Sequence, residues 1–312
     1  MELLNWEKGG HGRGKERFGR LKADAETEES FRRCEELSRK AGSNFLKGFR
    51  FLEPSRRKAL NALYAFARIT DDIVDEDAKS LEERRARLGR WRAATERVLD
   101  GGRVEDPYLP ALGYAARRFG IGRETLLMLV DGCEQDLTKN RYETFSEVRD
   151  YCYKVAVTVG MAMLAIFGAR KPEAARAMES VGYAFQFTNI LRDIPEDFQR
   201  GRIYLPRKWL REFSLPEDDV GKGVGTRPEL RRVLERLGEE AWKEYEKGYE
   251  VLSHLPPRAG RSIAVMLGVY REILVKIRKA GYDVWADRPR LSAAEKAWIT
   301  FRETIRFRRL NR

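Results

Sequence analysis

Apolar residues recur at three- and four-residue spacing along most of the chain, while the two-residue alternation of half-buried strands is nearly absent. The helical period covers approximate segments 28–40, 55–76, 80–99, 123–136, 145–169, 173–194, 228–254, 258–280 and 291–307. Pro54, Pro172 and Pro257 fall near the starts of these segments and Gly281 follows an end, where a missing N–H and a left-handed residue are tolerated. This pattern predicts an all-α protein. A chain of 312 residues could form one large domain or two small ones, but no Pro/Gly/Ser-rich linker divides its middle. One helical domain over 28–312 is expected. Residues 1–27, with Gly9, Gly10, Gly12 and Gly14 among mixed charges, lack the apolar core of a secretory signal and read as a disordered extension.

Two polar clusters interrupt the apolar pattern. The first, Asp71-Asp72-Ile73-Val74-Asp75, ends the run Ala59 to Thr70, which is too apolar for an exposed helix, so its carboxylates should face an interior cavity. Residues four apart share a helix face, so Asp71 and Asp75 project together, and Tyr64 and Arg68 continue the stripe. The second cluster runs from Asn189 to Asp197 and places Asn189, Asp193 and Asp197 on one face. Two such faces across a cavity could hold divalent cations. Carboxylates suit hard Mg²⁺, whose shell is usually completed by water and substrate phosphate oxygens, and Mn²⁺ is the alternative. A single D-x-x-x-D spacing is common on solvated helices; the apolar setting is what distinguishes these two.

The run Tyr64-Ala65-Phe66-Ala67-Arg68-Ile69-Thr70-Asp71-Asp72-Ile73-Val74-Asp75-Glu76, then Gln186-Phe187-Thr188-Asn189-Ile190-Leu191-Arg192-Asp193, then Arg200-Gly201-Arg202-Ile203-Tyr204-Leu205-Pro206, resembles the squalene/phytoene synthase family. The three blocks occur in the family's order, and weaker similarity runs from about Ala41 to about Ser292. The resemblance implies a single-domain helical isoprenoid synthase fold with a central cavity between antiparallel helices. It also implies Mg²⁺-dependent head-to-head condensation of two prenyl diphosphates through a cyclopropylcarbinyl diphosphate. On this resemblance Asp71 and Asp75 are the first metal ligands, and Asn189, Asp193 and Asp197 the second set. Arg68, Gln186, Arg192 and Arg288 would contact diphosphate oxygens, and Tyr153, Tyr204 and Tyr270 match tyrosines of the reaction cavity.

Two positions depart from the family pattern. Gly42 stands where a hydroxyl residue is usual in the N-terminal block, so Ser43 or Asn44 would take over any phosphate contact. Pro195 stands between the acids of the second cluster, where its ring should clash with the Leu191 carbonyl and kink or stop the helix, re-aiming Asp197. The block Gly42-Ser43-Asn44-Phe45 and the sequence Asp-Asp-Ile-Val-Asp-Glu look more similar to presqualene diphosphate and squalene synthases, which favours C15 farnesyl diphosphate over the C20 substrate of a phytoene synthase. NADPH stays an open alternative, because reductases of the family do not use the G-x-G-x-x-G motif that this chain lacks. A class I terpene cyclase acting on one prenyl chain is the rival enzymatic reading. Gly221 to Gly225 is expected to be a mobile loop.

Charge and cysteine content add partners and setting. The net charge is +12, but eight Lys/Arg against two acids between Arg288 and Arg312 supply about half of that surplus, which argues against a nucleic-acid surface. In that tail Trp298, Phe301 and Ile305 share one helical face and Arg302, Arg306 and Arg309 another. Two readings stand: peripheral contact with an anionic membrane, or a last helix packed on the domain with a solvated basic side. Cys34, Cys133 and Cys152 are scattered and odd in number, as expected in a reducing cytoplasm, including the inner face of its membrane. Val155 to Ala169 is too short to cross a bilayer on its own and reads as core or tunnel lining.

Overall fold

Among the described residues ten longer helices carry the architecture: α1 (Ala25–Lys40), α2 (Pro54–Asp75), α3 (Leu81–Leu99), α4 (Leu109–Phe119), α5 (Arg123–Gln135), α6 (Phe145–Phe167), α7 (Pro172–Gln199), α8 (Pro228–Gly248), α9 (Pro257–Lys279) and α10 (Ala293–Leu310). The computed structural model describes residues 23–41 and 46–310. Among the described residues there is no β-strand, only one isolated parallel bridge between Arg141 and Ile203. The residues at helix starts explain where the helices begin. Asp24 accepts the Thr27 N–H at 2.8 Å ahead of α1, which therefore starts within the segment expected to be disordered. Ser80 and Glu83 form a reciprocal capping box on α3, and Pro54, Pro172, Pro228 and Pro257 occupy first positions.

α7 is the central element. From Ala174 to Ile194 its residues are buried around nearly the whole circumference, as a helix surrounded by other helices requires. It packs on α6, α8 and α9. Against α6 the approach is close enough that a Cβ on Gly182 would stand 2.8 Å from the Val157 Cα, so only glycine fits there. α6 contains a π turn, Tyr153–Val157, between its two α-helical parts. By length and composition α6 could cross a membrane, but most of its apolar window is buried inside the domain.

Three local expectations change. α4 was not evident in the periodicity, because it is short and opens on Pro110. α7 does not stop at Pro195 but runs a further turn to Gln199: proline removes one donor, and the ladder resumes beyond it, with the Arg200 N–H bonded to the Glu196 carbonyl at 3.2 Å. The segment expected to be a mobile loop is a 3-10 helix, Glu217–Lys222, followed by a helical turn, Gly223–Thr226. It packs beneath the rings of Phe198 and Trp285.

Candidate active site

The polar stripes of α2 and α7 open into one space. Tyr64, Arg68, Asp71 and Asp75 from α2 and Gln186, Asn189, Asp193 and Asp197 from α7 line a cavity of about 860 Å³. Their three- and four-residue spacing is why each helix presents them on a single face. Beyond them the walls turn apolar, with Leu60, Leu63, Val159, Met163, Phe185 and Met266 among the lining residues. Gly160 of α6 also reaches this wall. The cavity thus has a charged end and an oily end.

Arginines cover two of the expected metal ligands. Asp75 accepts from Arg200 and from the buried Arg202, each at 2.7 Å. Asp193 accepts from Arg192 at 2.7 Å and from Arg288 at 2.7 Å, and Arg288 also pairs with Glu196 at 2.9 Å. Arg68 grips its neighbour Asp72 rather than Asp71. These arginines sit where a polyanion would compete for them, so a diphosphate entering this end would exchange carboxylate partners for phosphate ones.

The remaining acids are crowded. Asp71 opens onto the cavity yet is ringed by protein, and this burial, reinforced by Asp75, pushes its carboxyl up to about 7. Burial and then Asp193 push Asp197 up to about 8, with Arg202 acting in the opposite direction. Such sites are relieved by a cation. The Asn189 Oδ1 is buried without a hydrogen-bond partner, while its Nδ2 donates to Gln186 at 3.3 Å. Carboxylate and amide oxygens form a hard donor set that fits Mg²⁺ or Mn²⁺. Among the described residues no three His, Cys, Asp or Glu side chains gather tightly enough to form a cage alone. Separated carboxylates of this kind suit an ion that shares its shell with water and phosphate oxygens.

A third carboxylate group escaped the sequence reading. Asp136, just past the end of α5, accepts the Tyr204 hydroxyl at 2.7 Å and the Tyr151 hydroxyl at 2.8 Å, and the two phenol oxygens lie 3.2 Å apart. Burial pushes Asp136 up to about 6, although Arg202 and the two tyrosines hold it down. Burial also raises both phenols, so they keep their protons. The signal was present: Leu129, Cys133 and Asp136 form one stripe on α5, and all three line the cavity.

Of the three expected tyrosines, Tyr204 and Tyr270 line the cavity, and Tyr153 does not. Positions two apart on a helix point to nearly opposite sides. Tyr151 therefore faces the site, and Tyr153 turns toward Glu179. Tyr270 accepts from Arg192 and stacks on Phe185 at 4.3 Å. The third motif block acquires a role: Arg200, Arg202 and Tyr204 tie α7 to Asp75 on α2 and to Asp136. Ser43 lies outside the described residues.

Known proteins resemble this chain in sequence and in fold. The squalene/phytoene synthase family model matches residues 38–295. A phytoene synthase of Pseudescherichia vulneris is 35% identical over 261 residues, covering 81% of this chain and 84% of the relative. Among solved structures, a dehydrosqualene synthase in complex with ligand superposes with a TM-score of 0.83 at 26% identity, covering 91% of this chain and 98% of the other. The squalene synthase HpnC from Alicyclobacillus acidocaldarius superposes with a TM-score of 0.76 at 30% identity, covering 84% and 97%. Matched over most of its length in sequence and in fold, the chain belongs to the squalene/phytoene synthase family of prenyltransferases.

Proposed function

We propose that the protein joins two molecules of one prenyl diphosphate head to head, through a cyclopropylcarbinyl diphosphate, and that the C20 substrate, giving phytoene, is preferred. The observation that carries the reaction class is the division of one cavity into an acid- and arginine-lined end and an apolar end. The first binds diphosphate; the second accepts hydrocarbon chains and excludes water. Asp71, Asp75, Asn189, Asp193 and Asp197 would hold Mg²⁺, which when bound stabilises the negative charge that develops as diphosphate leaves.

The chain's own residues do the rest. Arg68, Arg192 and Arg288 orient the diphosphates by exchanging their carboxylate partners. The first substrate ionises at its allylic C–O bond, and the double bond of the second attacks the resulting cation. Loss of a proton closes the cyclopropane ring. The faces of Tyr270 and Phe185 stand beside the oily end, where an aromatic surface stabilises a cation. Asp136 fixes the hydroxyls of Tyr151 and Tyr204, which hold protons at the charged end for transfer to a departing diphosphate oxygen.

Preference for C20 rests on the relatives: the phytoene synthase is matched at higher identity than the squalene synthase structure. This reverses the leaning of the first motif blocks. The C15 reading keeps its support from the overlay on a dehydrosqualene synthase. Separate incubations with geranylgeranyl and farnesyl diphosphate, each with and without NADPH, discriminate the two by product mass and by kcat/KM. The proposal expects kcat/KM at least about tenfold higher for the C20 substrate, a gap of about 1.4 kcal/mol in transition-state binding. A larger kcat/KM for farnesyl diphosphate would overturn the C20 assignment.

A further inference from the structure

The outer side of α10 carries an apolar ridge that the reaction does not use. Trp298 and Phe301, 61% and 57% exposed, are the two most exposed large hydrophobic side chains among the described residues. Their rings lie 5.9 Å apart, tilted by 32°, and with Ile305 they form one continuous surface bordered by Arg302, Arg306 and Arg309. The opposite side of α10 is already engaged: Ile299, Glu303 and Phe307 seat on α9 at Gly268 and Gly260. The packed alternative for this helix accounts for one of its sides only. It packs on the domain, and it still leaves an aromatic face outward.

The charges of α10 choose between occupants. Glu295 is paired with Lys276 of α9 at 2.8 Å, and Glu303 is buried and bound by Arg302. The outward face of the helix consequently presents arginine without acid, and Arg306, Arg308 and Arg309 are exposed. A second copy of the same face would meet it with like charge. An aromatic ridge with a basic border matches the boundary of an anionic bilayer, where Trp and Phe enter the headgroup layer and arginine meets phosphate. We propose that the Trp298–Phe301 face of α10 is a docking surface for anionic phospholipid bilayers. α9, on which α10 sits, turns Ile263, Met266 and Tyr270 inward to the cavity, so docking would bring the cavity wall to the membrane. The proposal stands on the patch itself, whichever prenyl chain the enzyme prefers.

Flotation of the full-length protein with vesicles tests it, using phosphatidylcholine containing one-third phosphatidylglycerol and phosphatidylcholine alone. The protein should float with the anionic vesicles, and less with rising salt. Trp298→Ser/Phe301→Ser should weaken binding by about tenfold or more, and Arg306→Glu/Arg309→Glu should do the same and remove the salt dependence. Both variants should keep the parent melting temperature and turnover of detergent-dispersed substrate. No flotation of the parent protein, or undiminished flotation of the Trp298→Ser/Phe301→Ser variant, would overturn the proposal. So would a parent dimer that this variant converts to monomer while vesicle binding stays unchanged, since the face would then be a contact between copies.

Discussion

Replacing Asp136 by Asn should flatten the dependence of stability on pH. Burial pushes the Asp136 carboxyl from the ordinary carboxylate range up to about 6, with both its oxygens engaged by tyrosine hydroxyls. Because the native value lies above the unfolded one, this carboxyl contributes stability below about pH 4, and that contribution is lost as pH rises through about 6. A displacement of this size corresponds to about 3 kcal/mol, and the water that the partly buried side chain still meets reduces this to roughly 2 kcal/mol. Asn does not titrate, so Asp136→Asn carries a constant cost for the tyrosine left without an acceptor but none of the pH-dependent loss. Thermal or urea unfolding of both proteins in EDTA, at about pH 4 and about pH 8, gives the difference directly. Between those pH values the variant should gain on the parent by roughly 2 kcal/mol, or roughly 3 °C in Tm for a chain of this size. The constant cost cancels in that comparison. Parallel pH profiles would refute the reading of Asp136 as a carboxyl whose proton is held by burial.

Two further predictions concern the reaction. Asp71→Asn and Asp193→Asn should each lower turnover by roughly a thousandfold, the scale of losing a stabiliser of developing charge, and retained activity in either would sink the metal assignment. Tyr151→Phe should cut kcat by roughly a hundredfold, the scale of a lost general acid or base, whereas Tyr153→Phe should stay within about twofold of the parent. The reverse order would show that Tyr153 acts in the site and that the orientation of α6 is wrong.

Most of the fold was legible because its helices are long and amphipathic or wholly apolar, so period and proline placement located them to within a few residues. α4 was not, being short. The two aspartate clusters were legible because each repeats a polar residue every four positions within an apolar helix, something packing alone does not explain. Asp136 continues a stripe with Leu129 and Cys133, but it is a single acid 15 residues from Tyr151 and 68 from Tyr204, so no repeated carboxylate marked it out. Tyr151 and Tyr153 differ only in which side of α6 they occupy, and block similarity did not resolve that. The arginine pairings of Asp75 and Asp193 join distant segments and emerge only once α2, α7 and the loops after α7 and α9 are brought together.

If the protein works as proposed, one cavity joins two prenyl chains with the aid of a divalent cation. Mass spectrometry of the hydrocarbon formed from a single prenyl diphosphate, with diphosphate release counted in the same reaction, tests it most directly. The expected product has twice the substrate's carbon number, with two diphosphates released per molecule, and its formation is abolished by EDTA and restored by Mg²⁺. A product retaining one prenyl chain, as an alcohol or a cyclic hydrocarbon, or unchanged turnover in EDTA, would contradict it.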